Sequence, residues 1–419
     1  MAPFHYVDGH LHAEDVDLAA IVAAVGTPAY VYSATAMRHR LGLLQTAFAG
    51  SDVAIFYAIK ANSNLAVIRT LHEAGAGAEI VSQGELERAL AAGVPGERII
   101  MAGVAKSADE IKSALDAGIC QFNVESWPEL QAIDAIARSM NRRAPIALRV
   151  NPDVAADTHD KISTGRKHDK FGIAYDEAPA IYRQASDMAG IELVGLHIHI
   201  GSQITAHGPF EQAYARAADM VRSLASEGIR LKHLDFGGGF GIPYEKSTPR
   251  LDLDGFASTV RNITDGLGCR LFFEPGRFLV GEAGMLLAQV IYVKHSGDRR
   301  FLILDTGMSE LMRPALYDAH HDIVPLRAPT NAQAPLAYDV VGPICESTDV
   351  LARSRSLPHM AAGDVIGFAD AGAYGAVMVS CYNSRPTPAE VIVDGARFAI
   401  VRPRREPASH FADERLPEW

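Results

Sequence analysis

The sequence predicts an α/β protein built from a (β/α)8 TIM-like barrel and a mainly antiparallel β-sandwich or β-barrel domain. Three observations carry that expectation. Short β-branched runs alternate with amphipathic stretches from about residue 53 to about residue 275, which is the rhythm of strand–helix units. After Gly281 the rhythm changes to period-2 runs broken by Gly, Pro and Asp. A chain of 419 residues also exceeds what one ordinary core organises.

Eight strands are expected in the first region, at 53–59, 78–81, 98–101, 121–124, 146–151, 193–200, 231–236 and 271–274. Segments 65–73, 84–92, 108–117, 128–139 and 210–226 space their apolar residues at the helical period and fall between those strands. Eight parallel units in succession close most naturally into a barrel. In the second region 286–293, 300–305, 364–369, 390–393 and 397–401 read as strands. The expected division is an amino-terminal segment 1–35 joining the β domain, a barrel at 36–280 and the β domain at 281–419. Within the first segment 29–32 reads as a strand, the acidic stretch before it as strand-poor, and the tail from Pro403 as loosely held.

The formal net charge of −11 argues against a nucleic-acid or anionic-membrane surface. No basic segment followed by an apolar run opens the chain, and the longest apolar stretches are too short to span a bilayer, so a cytoplasmic protein is expected. Cys120, Cys269, Cys345 and Cys381 are scattered, with no metal-knuckle spacing, and read as free thiols.

The unusual residues cluster at the carboxyl ends of the expected strands, where barrel enzymes build their sites. Lys60 follows the first strand; an amine half-buried there can lose its proton and form an imine, although a solitary lysine is more often a solvated surface group. His197 and His199 alternate at the end of the sixth strand. They suit a satisfied core pair or, with His10 and His12 as a second such pair, a metal site, though no further carboxylate pattern completes one. Gly237, Gly238 and Gly239 end the seventh strand, where barrels bind phosphate; a Gly-rich turn is also a common tight connection. Glu274, Gly276 and Arg277 end the eighth, offering a carboxylate and a cation that also suit a rim ion pair. An imine-forming amine, a flat ring, a phosphate loop and a carboxylate in one mouth together describe a pyridoxal phosphate site, with no metal.

At these residues the sequence resembles the alanine-racemase-like barrel enzymes that use pyridoxal phosphate, and within them the diaminopimelate decarboxylases. The resemblance runs from TPAYVYS at 27–33 through YAIKAN at 57–62, SQGEL at 82–86, RVNPD at 149–153, DKFG at 169–172, HIHIGSQ at 197–203, GGGFG at 237–241 and EPGR at 274–277. It continues through MRPALYDAHH at 312–321, GPICES at 342–347 and DAGAYG at 370–375.

The resemblance implies that Lys60 holds the cofactor through an imine, that His199 stacks on its ring and that Glu274 pairs with the pyridine nitrogen. It implies further that Ser202, Gly237, Gly238, Gly239, Gly276 and Arg277 lie around the phosphate and substrate entrance, with Tyr374 closing the site. Racemases of this fold set an arginine against that nitrogen, so the EPGR motif favours decarboxylation. Cys345 matches the residue that reprotonates the carbanion, which without the resemblance would read as a small inert buried thiol. Glu346 beside it contacts substrate, in a loop that reaches the other subunit of a homodimer. Arg277, Arg313 and Tyr317 match positions that grip the distal carboxylate of meso-diaminopimelate; alone, Arg313 reads as a rim salt bridge. The implied activity is decarboxylation of that substrate to L-lysine and carbon dioxide, the last step of bacterial-type lysine biosynthesis. Glu79 departs from the family pattern, where an aspartate is usual, and is assigned no role.

Overall fold

The computed structural model describes residues 2–154, 170–329 and 334–419. Asp169, the first residue of the DKFG motif, lies outside them. The chain divides into two compact units, one of residues 38–243 and 248–279, the other of residues 1–37, 244–247 and 280–419.

The first unit is a closed parallel barrel. Its strands are β1 (Val53–Ala58), β2 (Gly77–Ile80), β3 (Ile99–Met101), β4 (Gln121–Val124), β5 (Ala144–Asn151), β6 (Ile191–His197), β7 (His233–Asp235) and β8 (Arg270–Phe273), each paired with the next, with β8 returning to β1. Nearly every strand residue is buried, as a barrel packed on both faces requires. Polar residues mark the strand-to-helix turns: the side chains of Ser82, Ser107, Ser126 and Asp252 each accept a backbone N–H in the first turn of the helix that follows. Ser107 and Glu110 complete a reciprocal capping box. Low in the barrel Ala54, Phe56, Ile100 and Phe272 form an apolar plug, with the Phe56 and Phe272 rings 4.8 Å apart.

Two expected boundaries differ. β6 stops at His197, so the backbone of His199 belongs to the connection after the strand, and β7 is only three residues long. In both cases the chain leaves the ladder to form the glycine-rich turns at the mouth, which periodicity does not register.

In the second unit the long strand Gly284–Ser296 pairs antiparallel with Ala29–Ser33, Arg299–Leu304 and Val365–Phe368. Ala389–Asp394 runs parallel to Ala29–Ser33, and Leu336–Val341 parallel to Arg299–Leu304, so the sheet is mixed at two places. Strands Ile323–Pro325, Leu336–Val341 and Val350–Leu357 were not expected; the last has exposed Arg and Ser positions that hide its alternation.

The acidic amino terminus is not strand-poor. Phe4–Val7, His10–Ala13 and Val16–Asp17 form a small antiparallel sheet. The charge of Glu14 is absorbed locally, since its two carboxylate oxygens accept from the Ser33 hydroxyl, from the Thr35 N–H and hydroxyl, and from Gly395 N–H. Leu11, Ala13, Leu18 and Ile21 pack there against Val31, Met285, Leu287, Val391 and Val393. The start of the tail is tied down by Arg404, which donates to the carbonyls of Val25 and Pro28.

Candidate active site

Lys60 sits in a single helical turn, Ile59–Ala61, immediately after β1. The turn is fixed from both sides: the Tyr57 hydroxyl donates to the Asn62 carbonyl at 2.8 Å, and Ala58 N–H donates to Pro275 O at 3.2 Å. Gly276 is required there, because a side chain at that position would press on Ala58 and Ala61 at 3.0–3.2 Å. The amine forms an ion pair with Glu79 on the neighbouring strand β2. Lys60 is 40% exposed and Glu79 1%, so the acid is the sunken member. Burial pushes the Glu79 carboxyl up, working against the charge of Lys60 that lowers it, and the second oxygen, Oε1, has no hydrogen-bond partner among the described residues. An adjacent carboxylate favours the ammonium form of an amine, so the surroundings of Lys60 include more than the desolvation expected from its strand-end position.

Glu274 follows β8 and is also buried. Its Oε1 accepts from the Asn123 amide at 3.0 Å, and its Oε2 lies 3.3 Å from His197 Nε2. Burial acts to raise this carboxyl, yet the charge and hydrogen bond of His197, with the charge of Lys60, bring it down to about 2. It is therefore an anion facing the barrel interior at neutral pH.

His199 lies beyond the strand end, where its Nδ1 accepts from Gly238 N–H at 3.2 Å. Burial and the charges of Arg149, Lys60 and His197 hold its basicity well below that of an ordinary imidazole, so the ring is neutral. The two histidines of the HIHIGSQ motif thus have different tasks: His197 pairs with Glu274, and His199 is held by the glycine turn. His10 and His12 lie on a strand of the other unit, where His10 approaches Asp17 at 3.6 Å.

The glycines do two things at once. Gly237 N–H donates to Asp235 at 3.0 Å and Gly238 N–H to His199, so both groups are engaged within the protein. A side chain at Gly237 would meet Ile198 O at 2.6 Å, and one at Gly238 would meet Glu274 O at 2.3 Å. Arg277 is buried, and its Nη2 donates to the Ser202 hydroxyl at 3.2 Å, which sets a cation and a hydroxyl together on the barrel unit.

The remaining candidates lie in the second unit. Arg313 is buried, not on a rim. Its Nη1 lies 3.1 Å from His321 Nε2, and its guanidinium stacks 4.4 Å from the Tyr244 ring centroid. His321 Nδ1 sits 2.8 Å from Ala369 O, so that nitrogen carries the proton and Nε2 accepts from Arg313. Arg313 begins the short helix Arg313–Tyr317, and Tyr317 is half-buried at its end.

Cys345 is exposed, which overturns the inert buried reading of the thiol. Its loop is clamped by Asp349, which accepts from Met308 N–H at 2.6 Å and Ile344 N–H at 2.7 Å. Gly307 and Gly342 leave the room, since a side chain at either would strike the Asp349 carboxylate at about 2.5 Å. Glu346 accepts from the Tyr382 hydroxyl at 2.6 Å. Tyr374 has a φ of +56° in a turn where Asp370 has the same value, a conformation that costs energy without glycine and marks a constrained segment.

The barrel mouth fits pyridoxal phosphate on its own features. It joins a strand-end amine, a buried anionic carboxylate, a neutral imidazole and a cation–hydroxyl pair, with a buried acceptor, Glu79 Oε1, left over.

Residues 35–281 match the family model described as the pyridoxal-dependent decarboxylase, pyridoxal binding domain. The chain is 41% identical to diaminopimelate decarboxylase of Zymomonas mobilis over the full length of both, and 45% identical to that of Pseudomonas aeruginosa over 99% of each. The chain belongs to the diaminopimelate decarboxylase family.

Solved structures of the family agree in fold. The Helicobacter pylori diaminopimelate decarboxylase complexed with L-lysine superposes with a TM-score of 0.91 at 38% identity, covering 95% of this chain and 99% of that one. The diaminopimelate decarboxylase of M. jannaschii, in co-complex with L-lysine, gives 0.94 at 35% identity, covering 99% and 98%.

Within this family member, sequence reasoning missed Glu79 as the partner of Lys60, Asn123 and His197 as the groups that hold Glu274, and His321 as the partner of Arg313. Glu79 is placed by strand register alone: β1 and β2 pair with Ala58 opposite Glu79, so the acid lies two residues from the level of Lys60. His321 closes the MRPALYDAHH motif that was quoted without a role for it.

Proposed function

We infer that the protein removes the carboxylate from the D-configured centre of meso-diaminopimelate and releases L-lysine and carbon dioxide, closing bacterial-type lysine biosynthesis. The observation that carries this reading is the pairing, in one barrel mouth, of the Lys60 amine with a Glu274 carboxylate held ionised by His197 and Asn123. Pyridoxal phosphate, when bound, supplies the electron sink that takes up the pair left by the departing carboxylate. Glu274 sustains that sink by keeping a proton on the ring nitrogen, since a buried anion there favours the protonated form. Lys60 is the amine that would hold the cofactor. His199 presents a neutral ring to stack, and Arg277 with Ser202 suits the phosphate side, alongside Gly237, Gly238, Gly239 and Gly276.

Specificity rests on the distal end of the substrate. A carboxylate there suits the buried guanidinium of Arg313, with Tyr317 beside it, and a fork of this kind discriminates strongly against a diamine lacking the anion. Cys345 returns a proton to the α-carbon, with Glu346 and Tyr374 around the substrate; its exposed, clamped loop supports a role at a site completed by a second copy. We therefore propose a homodimer with shared sites, in the cytoplasm. Among the described residues no helix is long and apolar enough to cross a membrane.

Incubation with meso-diaminopimelate and assay for lysine tests the reading. Lysine and carbon dioxide in equal amounts are expected; absence of lysine together with rapid turnover of ornithine or arginine would move the activity to a sister decarboxylase.

A further inference from the structure

Behind Glu274 the barrel interior is polar, and every member of the group is fully buried: Gln121 and Asn123 on β4, His197 on β6, Asp235 on β7 and Glu274 after β8. The Gln121 amide donates to Asn123 Oδ1 at 2.7 Å and to Asp235 Oδ2 at 3.2 Å, and the Asn123 amide donates to Glu274 Oε1 at 3.0 Å. His233 Nδ1, at the floor end of β7, lies 3.4 Å from Gln121 Oε1. Gln121 is closely packed: a side chain at Gly195 on β6 would meet its Oε1 at 2.9 Å. Of the apolar plug, Ile100 stands opposite Gln121 and Phe272 opposite Asp235 on the neighbouring strands.

His197, Asp235 and Glu274 offer one nitrogen and two carboxylate oxygens, all within 4.8 Å of one another. Two carboxylates this close, both removed from water, do not both ionise; one keeps a proton. Geometry says which. Glu274 has the imidazole of His197 against one oxygen and an amide on the other. Among the described residues Asp235 accepts from neutral donors, the Gly237 N–H and the Gln121 amide. The groups that act on Asp235 from the surrounding elements are Glu274 and Glu79, both repelling a second negative charge, with the thiol of Cys120 and the hydroxyl of Tyr214 also near it and His197 on the flanking strand.

We propose that Asp235 carries the shared proton of this buried cluster and is a positioning residue for Glu274. As the neutral acid it leaves Glu274 the sole anion of the pair, and through Gln121 and Asn123 it fixes where that anion points. Burial and the charge of Glu274 both raise the Asp235 carboxyl far above the usual carboxylate range, in agreement with this assignment. The consequence for chemistry rests on the reading of Glu274 as the group facing the ring nitrogen; the protonation of Asp235 does not.

The test is infrared spectroscopy of the full chain without cofactor at neutral pH, taken as wild type minus Asp235→Asn. A carboxylic-acid carbonyl band is expected in the difference, shifted when the protein is made with carboxyl-labelled aspartate and unmoved with labelled glutamate. A band that moves only with labelled glutamate, or a difference containing only ionised carboxylate, overturns the proposal. Equilibrium binding of pyridoxal phosphate by fluorescence supplies the positioning readout. Asp235→Ala should weaken it about tenfold or more, the usual result of leaving buried donors unsatisfied, and Asp235→Asn should recover most of that loss. An asparagine variant as weak as alanine would mean that a charge on Asp235 is what matters. The infrared result stands on the isosteric variant alone, so collapse of the alanine variant does not remove the test. Because it uses the cofactor-free protein, it also separates this idea from the assigned activity: the band with no lysine formed would sink only the latter.

Discussion

The amine of Lys60 and the carboxylate of Glu79 face each other across adjacent barrel strands, the acid fully buried and the amine half in solvent. The pair gives Glu79 a chemical position that its sequence context did not suggest. An amine at a strand end gains a fixed point from such a partner.

Replacing Glu79 by Gln removes a charged partner while keeping its size. The loss of a charge-assisted hydrogen bond costs about 1.5–3 kcal/mol, so turnover should fall roughly ten- to hundredfold. Removing the carboxylate also disfavours positive charge on the Lys60 nitrogen, so the visible absorbance of the cofactor-loaded protein should titrate at lower pH than in wild type. A spectrophotometric pH titration reads this directly. Lys60→Ala should abolish the absorbance that borohydride bleaches.

Arg313→Leu should lower kcat/KM for meso-diaminopimelate by about a hundredfold or more, mainly through KM. Lysine at this position should restore little, because the planar fork, its stack on Tyr244 and its bond to His321 are lost together. Steady-state kinetics on both variants checks the expectation.

Cys345→Ala should reduce lysine formation by about 10²–10⁴-fold, the usual range for a positioned proton donor, with little change in cofactor affinity. A single-turnover assay locates the damage: release of the gas should precede appearance of lysine. Simultaneous appearance of both would move Cys345 out of the protonation step.

His233 gives a pH prediction that concerns folding alone. Burial, with Arg270 and Lys232 nearby, depresses its imidazole from 6.5 to about 4. A folded-state value below the unfolded one means that stability is fully present above pH 6.5 and is lost as pH falls toward 4. Partial exposure reduces the contribution to about 1–2 kcal/mol, below the full value of the shift. Urea denaturation at pH 7 and pH 4.5 should show a smaller acid loss in His233→Gln than in wild type.

The strand–helix alternation of the barrel was legible because each strand is a short apolar run and each helix repeats at its own period; 108–117 emerges at those bounds. The strands at 336–341 and 350–357 were not, because one contains Asp339, neutralised by Arg299 on a neighbouring strand, and the other exposes Arg353, Ser354 and Ser356. The acidic start misled for the same reason: Glu14 reads as solvated charge until Ser33, Thr35 and Gly395 are folded around it.

By itself the sequence determined the barrel and the change to β structure, and it made Lys60, His199, Glu274, Arg313 and Cys345 the candidates, because those properties reside in local period and in contiguous motifs. Only the tertiary structure decided which groups hold them: Glu79 against Lys60, Asn123 and His197 against Glu274, His321 against Arg313, Asp349 beneath the Cys345 loop. These contacts depend on strand register and on loops meeting across the fold, and burial then gives each one an electrostatic weight that no residue carries in an extended chain.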